Sequence, residues 1–322
     1  MGKPTLTLIL KDYDYLAPLA CGDVVPEGIT LNLIRDTPGA LARTVNDASL
    51  DAGELSFSRY LSRLAHGDQT FVGLPIFVYR AFRHRCFFVL RNRGLCELKQ
   101  LDGRRVGTNE WPATGNVWSR ALLREQNVAI DHIHWYVGPV DNPKAARYSD
   151  DLPAYVQPIA ADRTLRDLLL AGEIDAIMCP NPPRGFYEPN SPIVRLFADF
   201  RRVEQDYYRR TNIYPPQHII GIRRDIFERN PSVTLELFKV LEKSRLLWQE
   251  RRRAWSEFSS WLLSEIEETT ALLGRDWQPN GIAPNRHSIQ AFCDELFAQG
   301  FIAQPLDASA VFPEFERIRQ EI

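Results

Sequence analysis

Apolar and polar residues alternate in TLTLIL (5–10) and GITLNLIR (28–35), a period of two that predicts two early β-strands. From 39 to 67 the spacing becomes helical on either side of a short DAGELS segment, so two helices are expected, the second opening at Ser56 or Ser58 as its cap. FVGLPIF and RCFFVL read as further strands. The pattern then restarts: ELKQLDG leads into a strand at RRVGT, a loop, and a helix from Thr114. HIHWYVG is the next strand and YSDDLPAYVQP a loop, followed by helix, glycine turn and strand in TLRDLLLAGEIDAIMC and a proline-rich loop at 180–192. HIIGIR returns as a strand. From Pro231 onward the apolar spacing is helical, and Trp248, Trp255 and Trp261 either pack in the core, the default for aromatics at helical spacing, or form a dimer contact.

Strands alternating with helices in two successive groups predict a two-lobed α/β protein. The first lobe is expected to comprise residues 1–97 and 216–322, including the C-terminal helices, and the second residues 98–215.

Composition narrows the function classes. With 44% hydrophobic and 25% charged residues and a net charge of −2, the chain has no electrostatic footprint for nucleic acid or a membrane surface. Five scattered cysteines without a Cys-x-x-Cys pair read as reduced thiols. No apolar run reaches the length of a signal core or a membrane span, so a cytoplasmic location is expected.

Candidate chemistry lies in the loops that follow strands, where α/β folds collect ligands. In VYRAFRHRCFFVL an extended chain would put Arg80, Phe82 and His84 on one face and Arg83 on the other. A guanidinium suits a carboxylate because its planar fork donates two parallel hydrogen bonds, although strand-end arginines also serve as surface ion pairs. In GTNEWPATGNVW a helix start with Thr114 as cap, and with Gly115 and Asn116 beside it, offers backbone N–H groups to an anion; the plain alternative is a capped helix with Trp111 in the core. Glu54 with Ser56 supplies a base and a hydroxyl, or only a helix cap. Asp12 is equally open. His218 is tunable across neutral pH, or a structural residue beside a strand. His132 and His134 lack a carboxylate at a metal-site spacing, so no metal is expected.

Taken together, DYDYLAPL, ELSFSRYL, GLPIFVYRAFRH, LDGRRVGTNEWPATGNVW, LLLAGEIDAI, YPPQH and DWQPNGIAPNRHSIQAF resemble the bacterial 4,5-dihydroxyphthalate decarboxylase family across nearly the whole chain. The resemblance implies a type 2 periplasmic-binding-protein-like fold, with a ligand cleft between the lobes and a helical C-terminal extension. It also implies cofactor-independent decarboxylation of a small aromatic dicarboxylate, with no nucleic-acid or membrane partner and with room for a homo-oligomer. On that reading His84 or His218 is the proton donor and Glu54 or Asp12 the phenol base. Arg80, Arg83, Thr114, Gly115 and Asn116 bind carboxylate, while Phe82, Trp111, Tyr214 and Ser56 complete the substrate site. The alternatives are a non-catalytic solute-binding protein and a related decarboxylase using a divalent metal.

Overall fold

A computed structural model describes residues 3–145 and 152–320. In chain order the strands are β1 (Thr5–Leu10), β2 (Thr30–Arg35), β3 (Ala52–Ser56), β4 (Phe71–Arg80), β5 (Phe87–Leu90), β6 (Arg105–Thr108), β7 (His134–Val137), β8 (Val156–Pro158), β9 (Ala176–Met178), β10 (Ile193–Arg195) and β11 (Pro216–Arg223). They form a five-stranded sheet of order β2-β1-β3-β11-β4 and a six-stranded sheet of order β10-β5-β9-β6-β7-β8. Each sheet anchors one of two compact units: the first runs through Arg80 and resumes at Pro216–Phe297 and Ile302 onward, and the second is Ala81–Pro215 with Ala298–Phe301.

The chain leaves unit 1 between Arg80 and Ala81, well before the expected boundary at residue 97, because β5 pairs with β9 and β10 whereas β4 pairs with β11. Residues 298–301 likewise belong with unit 2, where Gln299 accepts a hydrogen bond from Arg120 Nε (2.8 Å) and donates one to the Val117 carbonyl (3.0 Å). The loop expected over YSDDLPAYVQP ends in β8, and its residues up to 151 lie outside the described residues.

In unit 1, β1 lies parallel to both β2 and β3, with Leu6, Leu8 and Leu10 turned into the core. The helix Phe57–Ala65 covers the sheet through Phe57, whose ring meets Phe77, Phe292 and Phe312 at 5.9, 5.3 and 6.3 Å between centroids. Two of these partners come from the C-terminal helical region, which is why it packs here. In unit 2, Phe88, Leu165, Leu169, Ile174 and Ile177 form the buried centre.

Local expectations differ at several points. β4 stops at Arg80 and residues His84–Cys86 form a 3-10 turn, so Arg80, Phe82 and His84 do not alternate along one strand. Ser56 occupies the N-cap of its helix in extended backbone without a side-chain cap bond, and Ser58 lies inside it. Ala113, not Thr114, is the N-cap of the helix Thr114–Glu125, again without a side-chain cap bond. The long helix Ser232–Ala254 buries Trp248, but Trp255 and Trp261 beyond its end are 53% and 81% exposed, which overturns core packing for both. No helix among the described residues is long and apolar enough to cross a membrane.

Candidate active site

The strongest concentration of chemistry in unit 1 lies past the carboxyl end of β1, beside β3 and the strand β11 that pairs with β3. His218 on β11 is directly opposite Ser56 on β3, and Ile220 is opposite Glu54, so His218 and Glu54 are diagonal neighbours on one face of an antiparallel pair. The β11–β4 ladder shifts register on both sides of His218, an irregularity that re-aims a side chain.

His218 Nδ1 lies 2.5 Å from Glu54 Oε1. The same oxygen accepts a hydrogen bond from Tyr13 Oη at 2.7 Å, and Oε2 accepts one from the Lys11 backbone N–H at 3.0 Å. The Lys11 ammonium is 3.9 Å from Oε1. Glu54 is fully buried, which by itself raises its carboxyl, yet the His218 hydrogen bond and charge, Lys11 and Tyr13 together hold it below the ordinary carboxylate range. It is therefore ionised, and both of its oxygens already accept hydrogen bonds. Burial first, and then the Glu54 charge, push the Tyr13 phenol far above its usual range, so it remains a donor. An imidazole whose Nδ1–H is held by a carboxylate presents Nε2 for proton exchange, the arrangement used by general acid–base histidines. His218 keeps 13% of its side chain exposed. Tyr79 flanks it at 5.3 Å, and Tyr13 stacks between Tyr79 (6.4 Å) and Tyr15 (5.3 Å), giving the site aromatic walls.

The structure thus brings together Glu54 and His218, with Ser56 next to them in register. Asp12 is not among them: it is exposed, and its carboxylate pairs with Arg35 Nη1 at 2.8 Å, because the residue before Tyr13 turns to the opposite side. Lys11, Tyr13 and Tyr79 are absent from the sequence-derived set. The signal for Tyr13 was present in DYDYLAPL, where the tyrosine alternates with the aspartates, but no local pattern says which of the two sets turns inward.

Arg80, expected to bind carboxylate, is instead tied into unit 1. Its Nη2 donates to the Pro279 carbonyl (2.9 Å) and to Asn285 Oδ1 (2.7 Å), and its guanidinium lies 4.7 Å over the Phe77 ring. Arg80→Ala is expected to lower stability by about 1–3 kcal/mol, since it takes the Arg80 donor from the buried Asn285 Oδ1, while the Pro279 carbonyl keeps the hydrogen bond it accepts from Asn285 Nδ2 (2.8 Å). Urea unfolding checks this, and KM of the remaining folded enzyme is expected to stay within about twofold of the parent.

Unit 2 holds the other expected residues. Arg83 is buried, and its guanidinium packs on Gly115 so closely that a Cβ there would lie 2.5 Å from Arg83 Cζ. A cation is thereby set beside the first turn of a twelve-residue helix, where the backbone is already electropositive. Such an arrangement suits an oxyanion. Asn116 is occupied with the preceding loop, donating to Asn109 Oδ1 (3.1 Å) and the Glu110 carbonyl (2.6 Å). Phe82 and Tyr214 are brought together at 4.9 Å. Trp111, expected to stack on substrate, is core: it carries Arg120 at 3.9 Å on its face and meets Trp135 edge-on at 5.4 Å. His84 is buried against Tyr207 (5.1 Å) and Phe197 (5.9 Å), and its Nδ1 has no hydrogen-bond partner among the described residues. Burial, helped by Arg210, pushes its imidazole down to about 4, so it is neutral at pH 7. No group of three or more His, Cys, Asp or Glu among the described residues is placed to hold a metal ion.

The fold class is that of the periplasmic binding proteins. The chain matches the alkanesulfonate-binding protein SsuA from Xanthomonas axonopodis pv. citri with a TM-score of 0.52 and 14% identity, covering 97% of this chain and 99% of that one. SsuA from Escherichia coli matches with a TM-score of 0.52 and 13% identity over 97% and 98% of the two chains. No family model matches. Among curated proteins, the chain is similar to the 4,5-dihydroxyphthalate decarboxylase of Comamonas testosteroni, at 29% identity over 320 residues and 97% of each chain. It is also similar to the protein of the same name in Pseudomonas putida, at 29% over 214 residues, 65% of this chain and 83% of that one.

Proposed function

We propose that this protein is a decarboxylase that converts 4,5-dihydroxyphthalate to protocatechuate and carbon dioxide by acid–base chemistry. The observation that carries the reading is the buried Glu54–His218 pair, a proton-transfer device that ligand binding alone does not require. The similarity to the two curated decarboxylases supports the substrate.

In 4,5-dihydroxyphthalate each carboxylate lies para to a phenol. Removing that phenol's proton pushes electron density onto the ring carbon bearing the carboxylate. A proton is added at that carbon, the bond to the carboxylate breaks, its electron pair returns to the ring and carbon dioxide departs. His218 Nε2 is the atom assigned to proton exchange with the substrate. Glu54 is a positioning residue rather than the phenol base, because both its oxygens are already occupied by donors from His218, Tyr13 and Lys11. The Lys11 ammonium supplies positive charge where a phenolate forms.

Incubating the protein with 4,5-dihydroxyphthalate, with and without chelator, and measuring carbon dioxide and protocatechuate tests the proposal. Turnover unaffected by chelator is the expected result. Saturable binding of an unchanged ligand would overturn it in favour of a solute-binding protein, the reading favoured by the fold shared with SsuA. Activity lost in chelator and restored by a divalent metal would favour the metal-dependent alternative.

A further inference from the structure

The irregular part of β4 beside His218 is held from outside its sheet. Leu74 lies opposite Ile220 and Tyr79 opposite His218, so residues 75–78 stand against Ile219 alone and cannot complete a ladder with β11. Buried backbone polar groups in such a segment need other partners. The Gly281 N–H donates to the Pro75 carbonyl (2.8 Å), the Phe77 N–H donates to Asn280 Oδ1 (2.9 Å), and Tyr15 Oη donates to the Val78 carbonyl (2.7 Å).

We propose that Tyr15 is a positioning residue for the Glu54–His218 pair, holding both aromatic walls of that pair with one side chain. Val78 immediately precedes Tyr79, whose ring flanks His218 at 5.3 Å. On the other side the Tyr15 ring stacks on Tyr13 at 5.3 Å with 10° between the planes, and Tyr13 Oη donates to Glu54 Oε1 at 2.7 Å. Tyr15 thus links the segment that supplies a donor to Glu54 with the segment that sets a ring against His218. Burial first, and then the Glu54 and Asp14 charges, push its phenol far above the usual range, so the hydroxyl stays a donor.

Tyr15 is fixed in turn by the C-terminal helical region. Ser244, fully buried on the helix Ser232–Ala254, donates from Oγ to the Tyr15 carbonyl (2.8 Å) and accepts from the Leu19 N–H (3.2 Å). About one turn further along, Trp248 meets the Tyr15 ring edge-on at 6.3 Å. Core packing accounts for the ring, because an aromatic side chain against a tryptophan is ordinary. It does not account for the hydroxyl, which phenylalanine would lack and which is directed at the carbonyl next to Tyr79.

Tyr15→Phe removes that hydroxyl and keeps the ring on Tyr13. Because this role rests on the acid–base reading of His218, one readout is taken without substrate. In the ligand-free protein the His218 Nδ1–H, held against Glu54 and assigned by its absence in His218→Gln, is followed by NMR; Tyr15→Phe is expected to speed its exchange with water about tenfold. With 4,5-dihydroxyphthalate, kcat is expected to fall about tenfold, with KM within about twofold of the parent. Tyr79→Leu is expected to lower kcat by a similar factor. Adding Tyr15→Phe to it should cost less than about twofold more, since the hydroxyl acts through Tyr79. Trp248→Phe, which loosens the same ring but keeps the bond to Val78, is expected to lower the melting temperature and leave both readouts unchanged. Parent-like exchange and kcat in Tyr15→Phe would overturn the proposal. So would losses that multiply with those of Tyr79→Leu, or that Trp248→Phe reproduces. If the parent leaves 4,5-dihydroxyphthalate unconsumed, the substrate reading alone fails, and the exchange rate still decides the role of Tyr15.

Discussion

His218→Gln is expected to lower kcat for decarboxylation by about 10²–10⁴-fold, the usual contribution of a positioned general acid–base group, with KM changed far less. Glutamine fills similar space and can still donate a hydrogen bond to Glu54, so the fold is retained while the exchangeable proton is lost. Glu54→Gln tests the same pair from the other side. The neutral amide no longer stabilises a protonated imidazole, and one of its polar atoms is turned toward the donors Tyr13 and Lys11 N–H that the carboxylate accepted from. Because Glu54 acts only through His218, the double substitution is expected to cost little more than His218→Gln alone. The pH profile discriminates further: Glu54→Gln should move the limb of kcat/KM that reports the histidine toward lower pH, as loss of a neighbouring anion disfavours the imidazolium. Additive losses, or an unmoved limb, would remove Glu54 from its positioning role.

Lowering the pH from about 6.5 to 4 is expected to cost about 3 kcal/mol of stability through His84 alone. Its imidazole is pushed from 6.5 down to about 4 in the folded state, first by burial and then by Arg210. The direction follows from proton counting. Between these two values the unfolded chain binds a proton that the folded chain refuses, so stability rises with pH across the window and is lost as pH falls through it. Above 6.5 both states are neutral at this position and the contribution is flat. Urea unfolding at pH 7.0 and 4.5 measures the loss, and His84→Gln, which removes the titrating ring, is expected to flatten that part of the profile whatever it costs in packing against Tyr207 and Phe197. An unchanged slope in the variant would mean that acid sensitivity arises elsewhere.

The two residues that the helix and strand patterns placed near turns, Glu54 and His218, are 164 positions apart, yet each was recognisable as a candidate from its chemistry and its place at a strand end. Their pairing was not recognisable, because it depends on β11 running antiparallel to β3 with His218 opposite Ser56. A shift of one residue in that ladder would send the imidazole to the other face of the sheet. Asp12 and Tyr13 illustrate the same limit over one residue. Both follow β1, but only the tyrosine turns toward Glu54 while the aspartate meets Arg35. Arg80 and Trp111 carried the right chemistry for a ligand site. They serve packing because the Pro279–Asn285 segment and Arg120, remote in sequence, reach them first.

By itself the sequence determined the α/β class, most strand and helix positions and the residue types available for acid–base and anion chemistry, since these follow from periodicities of two and 3.6 and from side-chain chemistry. The tertiary structure decided where the chain leaves one unit for the other, which histidine meets a carboxylate and which tryptophans stay exposed. Each of those outcomes depends on strand register and on contacts between distant segments, and local patterns carry no information about either.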